Sequence, residues 1–99
     1  MRLSYEFTRD ILPNHNERTR KILKESYYPF DCCIDDGMVC FWKCYGKRSG
    51  KVDIIFDHTT NELERIEADV KHVDEKGRSQ AFMDVANFVY KMAKREYIE

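Results

Sequence analysis

Four cysteines, Cys32, Cys33, Cys40 and Cys44, fall within thirteen residues of this chain. Thiolates of that kind can hold zinc, form disulfides or act as nucleophiles. Zinc needs four ligands converging at about 2.3 Å, usually from tight C-x2-4-C turns. Cys40 and Cys44 stand four apart in a segment that reads as a strand, which separates them by roughly 13 Å at about 3.3 Å per residue. Cys32 and Cys33 are adjacent, so they point to opposite faces. The opening residues Met1-Arg2-Leu3-Ser4-Tyr5-Glu6 hold no apolar stretch of the secretory kind. The expectation is a cytoplasmic protein whose cysteines are reduced and pack as small hydrophobes, with no metal and no cofactor. His15, His58 and His72 are scattered and have no cysteine or serine partner in a nucleophile motif.

A second constellation could bind a divalent ion. Asp53 lies in a strand after a glycine-bounded turn, and sixteen residues later comes Asp69-Val70-Lys71. Two carboxylates on a metal, with a lysine beside the attacking water, is hydrolytic chemistry. Asp53, Asp69 and Lys71 resemble the PD-(D/E)xK nuclease pattern, with Glu17 or Glu25 as a third acid. Val52 stands where that pattern has proline, and no strand is expected after the last helix where that fold has one. The resemblance implies a metal-dependent nuclease or nucleic-acid-binding domain, with Arg18, Lys21, Lys24, Lys47 and Arg48 as phosphate contacts. Gly46-Lys47-Arg48-Ser49-Gly50 is not a phosphate-cradling loop, because no helix follows it.

Composition excludes more than it selects. Lys and Arg number 17 against 18 Asp and Glu, leaving a net charge of -1, so there is no global field to draw in nucleic acid. No apolar run approaches the roughly 20 residues of a membrane span. The 99 residues suit one domain, 1–99, with one core.

The elements that must position these groups read as α+β. Residues 1–12 fit either a strand (Leu3, Tyr5, Phe7 alternating) or a helix face (Leu3, Phe7, Ile11), so a fifth, N-terminal strand stays open. Asn14-His15-Asn16-Glu17 has the form of a capping box and predicts a helix over 15–27, ended before Pro29. Four strands in an antiparallel meander follow. A three-residue loop at Asp35-Asp36-Gly37 would set Ile34 opposite Met38, Cys32 opposite Cys40 and Phe30 opposite Trp42. The later turns are Gly46–Gly50 and Thr59-Thr60-Asn61. Asp74-Glu75-Lys76-Gly77 reads as a polar break, and Ser79 as the cap of a last helix over 80–95. Its expected buried stripe is Phe82, Val85, Ala86, Val89, Met92 and Ala93.

That register places Trp42, Cys40 and Cys44 with Val52, Ile54, Phe56, Ile66, Ala68 and Val70 beneath the last helix. Lys43 then opposes Asp53, and Phe41 opposes Ile55. Val39, Phe41, Tyr45 and Ile55 fall on the other face, covered by the first helix or by another chain. Contiguous apolar side chains on such a face often mark an interaction site. The expected function is a non-enzymatic interaction protein that binds and modulates, or inhibits, a protein partner, or associates with itself through this face. Compact domains without motifs are common among small inhibitors, those of phages and mobile elements included.

Overall fold

The structure, a computed structural model, describes residues 17–35, 38–57 and 62–98. The element order is α1 (Glu17–Ser26), β1 (Asp31–Asp35), β2 (Met38–Tyr45), β3 (Gly50–Phe56), β4 (Leu63–Asp69) and α2 (Glu75–Ile98). The strands form one antiparallel sheet in the order β1-β2-β3-β4, flanked by the two helices. The readings of residues 1–12, of the capping box before Glu17 and of the Thr59–Asn61 turn lie outside the described residues.

β1 and β2 pair with Asp35 opposite Met38, Ile34 opposite Val39, Cys33 opposite Cys40 and Cys32 opposite Phe41. Only Asp36 and Gly37 separate the paired ends, so the expected three-residue loop is one residue too long. Side chains alternate between faces, so a slip of one residue turns a strand's apolar set over. Phe41, not Trp42, therefore faces the helices. The slip recurs between β2 and β3, where Phe41 opposes Ile54, Lys43 opposes Val52 and Trp42 opposes Asp53. β3 kept its expected face: Val52, Ile54 and Phe56 are all buried.

The core lies between this sheet face and both helices. It takes Phe30 and Cys32 from the β1 side, Val39, Phe41 and Tyr45 from β2, Leu23 and Tyr27 from α1 and its exit, and Ala81, Phe88 and Met92 from α2. Phe88 is its hub. Its ring centroid lies 4.9 Å from Tyr27, 5.6 Å from Phe30, 5.0 Å from Phe41 and 6.2 Å from Phe56. The contacts with Phe30 and Phe41 are edge-on, a geometry aromatic quadrupoles favour. The Tyr27 hydroxyl also reaches the Met92 sulfur at 3.2 Å, which ties α1 to the far end of α2.

α2 begins five residues before the expected start. Asp74 is its cap: its carboxylate accepts from Gly77 N–H at 2.8 Å and its carbonyl from Arg78 N–H at 2.9 Å. Gly77 is thus a first-turn residue rather than a break, and close approach requires it there. A Cβ on Gly77 would lie 2.3 Å from a methyl of buried Val73. The same valine presses on Gly50, where a Cβ would also come within 2.7 Å of the Asp69 carbonyl. These glycines seat Val73 against the β2–β3 turn and fix where α2 crosses the sheet.

This face assignment is tested by comparing neighbours. Phe41→Ala should cost about 3–5 kcal/mol, the range for a buried large aromatic, while Trp42→Ala should cost less by about 2 kcal/mol or more. Urea denaturation of the two variants gives the comparison, and the reverse order would place Trp42 in the core.

Candidate interaction surface

The structure separates the four residues expected to share an outer face. Val39 and Phe41 are wholly buried and Tyr45 nearly so, all within the core. Ile55 opposes Cys40 on the other side of the sheet and is half-buried. The cause is the one-residue register slip, so these residues do not form a common surface.

Asp53 and Asp69 share the outer sheet face on neighbouring strands, as expected. Asp53 opposes Trp42 and Glu67 and is held by Lys51 at 3.2 Å. Asp69 opposes Lys51, and Lys71 lies beyond the end of β4. Among the described residues, no three His, Cys, Asp or Glu side chains come together as metal ligands. The basic residues divide between two regions. Lys21 and Lys24 are on α1, whose exit at Tyr27 meets Phe88 and Met92 late in α2, while Lys24 lies 3.8 Å from Asp31. Lys47 and Arg48 sit in the exposed turn next to Gly46 and Gly50, which rest on Val73 just before α2 begins. Gly77 and Phe88 are eleven residue steps apart on the helix, about 16 Å. The side chain of Arg18 lies outside the described set.

One buried carboxylate needed no place in the sequence reading. Asp84 points into the core from α2, only 4% exposed. It accepts from the Tyr45 hydroxyl at 2.7 Å, from Lys43 Nζ at 3.0 Å and from Gln80 Nε2 at 2.9 Å. Burial by itself raises its pKa, but the hydrogen bonds from Tyr45, Lys43 and Gln80 and the Lys43 charge outweigh it, and the net shift is downward. Tyr45 is pushed up, first by burial and then by its bond to Asp84. Its proton stays on the phenol at physiological pH. With three donors on one buried carboxylate, the cluster locks α2 onto β2.

The sheet face opposite the helices carries the thiols. Cys33 is exposed, Cys40 and Cys44 are half-buried, and all are free. Cys32 is the exception: it lies in the core, where burial and then the neighbouring Cys33 push its pKa up to about 12. Burial and the nearby Asp53 also raise Cys40. Neither shift favours a thiolate nucleophile. Charges on this face satisfy one another: Lys51 lies on Asp53 and over the Trp42 ring at 5.5 Å, and Arg65 lies on Glu67 at 2.6 Å.

Among the described residues, an exposed apolar surface lies between α2 and β4. Ala81, Asp84, Phe88 and Met92 form the buried line of the helix, so the expected stripe is rotated to one side. Phe82 is 72% exposed and Tyr90 65%. Ala86 is exposed as well, and Val85, Val89 and Ala93 are only half-buried. On the sheet side, Ile66 and Ala68 continue the Val52 and Ile54 face, as expected, but both are exposed. Between them runs a groove of about 150 Å³ lined by Val52, Ile66, Ala68, Val70, Phe82 and Val85, among others, with a wholly apolar lining. A second hollow, on the first turns of α2, is made by one stretch of chain, Asp74 to Met83.

The two sheet edges also differ. Along β1, Arg20 of α1 donates to the Cys32 carbonyl at 2.9 Å and reaches Asp31, so a helix guards that edge. Among the described residues nothing lies along the outer side of β4. The chain has no match among family models, curated proteins or solved structures.

The Asp84 cluster makes a pH prediction. A carboxyl with a lowered folded pKa adds stability above its unfolded value of about 3.8, and that increment is lost as pH falls through the folded value. Asp84→Asn should therefore be less stable than the parent by about 1–3 kcal/mol at neutral pH. The gap should narrow as pH drops below 4 (ordinary carboxylate titration, about 3.9 for Asp), read by urea denaturation across pH.

Proposed function

We propose that this chain is a non-enzymatic interaction protein that docks a protein partner along the groove between β4 and α2 and thereby modulates it. The observation that carries the reading is the partly exposed apolar stripe of α2, from Phe82 to Ala93, beside the exposed Ile66 and Ala68 of β4. Leaving such surface in water forgoes about 25 cal/mol per Å² of apolar area. Contiguous patches of this kind on a folded chain are characteristic of binding sites.

The form of the groove supports a particular mode of docking. Its floor is the helix-facing side of an edge strand, and its wall is a helix with an aromatic ring held outward. A strand laid beside β4 would gain main-chain hydrogen bonds while inserting alternate side chains between Ile66 and Phe82. Glu64, Arg65, Glu67 and Asp69 are all exposed on the same strand. Edge charges deter indiscriminate strand pairing, so they would admit only a complementary partner.

The test is a double substitution, Ile66→Ser with Phe82→Ser. Both residues are exposed, so circular dichroism should report a folded chain melting within a few degrees of the parent. Affinity purification from the native cells should recover a stoichiometric protein with the parent and lose it with the double variant. Equal recovery by both chains would contradict the reading.

A further inference from the structure

We infer that the β4 edge is built to receive a second copy of this chain, β4 pairing antiparallel with β4 about a two-fold axis at Ile66. The inference rests on the docking reading above and names its occupant. Both helices lie on one face of the sheet, and in a continuous antiparallel ladder directly opposed residues point to the same face. A symmetric pair must therefore be centred on a residue, since a centre between residues would set the groove face of one copy against the charged face of the other.

The charges then discriminate among the available centres. On β4, Arg65, Glu67 and Asp69 share the face away from the helices, and Ile66 and Ala68 share the groove face. Centring on Arg65 sets arginine against arginine. Centring on Glu67 sets glutamate against glutamate. Centring on Ala68 opposes Glu67 to Asp69 twice and Arg65 to Lys71 twice. Centring on Ile66 opposes Arg65 to Glu67 of the other copy twice, with no like-charged pair directly opposed. It also sets Ile66 against Ile66 on the groove face. The regular part of β4 accommodates this register: the bulge, where Phe56 pairs with Leu63 and Ile55 with Arg65, lies to one side of the three central residues.

Within one chain, Arg65 already holds Glu67 at 2.6 Å and Glu64 at 2.9 Å. The same groups would exchange partners across the axis, as cross-strand neighbours do. The two grooves would meet at the axis, and each Phe82 would stand beside the joined Ile66 pair.

Charge reversal separates this arrangement from any other dimer. Sedimentation equilibrium of the full chain at low ionic strength should give a dimer mass. Arg65→Glu alone and Glu67→Arg alone should each weaken it about tenfold or more, because each makes two like-charged pairs per dimer. The double reversal should restore self-association, and so should an equimolar mixture of the two single variants, which rebuilds both pairs between unlike chains. Rescue by mixing cannot come from an effect within one chain. A monomeric parent, a dimer indifferent to the reversals, or a mixture that stays dissociated would overturn the inference. If the parent is monomeric yet the Ile66→Ser, Phe82→Ser variant loses its cellular partner, only the second copy is refuted and the docking groove stands.

Discussion

Phe41 and Phe88 meet edge-on at 5.0 Å, and almost everything else in the molecule follows from that contact. β2 is an inner strand, and its neighbours Phe41 and Trp42 must point to opposite sides. With Phe41 under Phe88, Val39 and Tyr45 turn inward with it, and Cys40, Trp42 and Cys44 turn outward. The phenol of Tyr45 then reaches Asp84, and Lys43 reaches the same carboxylate from the rim. A buried charge would ordinarily count against this orientation of α2. Three donors remove the objection, and the ionic cluster becomes a second lock, one turn along the helix from the aromatic one.

The parts of the fold legible in the sequence were those with contrast between alternate residues. In β3, Lys51 and Asp53 mark the wet face unambiguously, and Val52, Ile54 and Phe56 were placed inward without knowledge of their partners. The same holds for Arg65 and Glu67 against Ile66 and Ala68. β2, Met38-Val39-Cys40-Phe41-Trp42-Lys43-Cys44-Tyr45, is apolar at all but one position, so period-two alternation has nothing to read. Its orientation then depended on the length of the connection to β1, where one residue of error exchanges the faces. The Asp-Gly pair at 36 and 37 is a strong signal for a two-residue connection, and it was available.

The last helix departs from its expected stripe for a related reason. Asp84, a carboxylate, lies on the buried line of the helix with Ala81, Phe88 and Met92. Neither partner of Asp84 could be found by local spacing, since Lys43 and Tyr45 lie about forty residues away along the chain. Of the expected stripe, Met92 is fully buried, Val85, Val89 and Ala93 are half-buried, and Phe82 and Ala86 are exposed. A single chain uses its neighbour, the Ala81–Met92 line, for its own core. Among the described residues the surplus stripe lies beside an edge strand with no neighbour on its outer side, and the proposed docking rests on that juxtaposition. Among the described residues, the outer thiols and acids form no group of three metal-ligating side chains.

Because the chain has one tryptophan, the orientation of β2 can be measured without altering a residue. Iodide quenching of Trp42 fluorescence reports how open the indole is to solvent. With Lys51 over the ring and no helix on that face among the described residues, quenching in the native state should reach a substantial fraction of that in the urea-unfolded chain. A native indole almost inert to iodide, with blue-shifted emission, would mean that Trp42 lies beneath α2. The core, the Asp84 cluster and the groove would then all have to be reassigned.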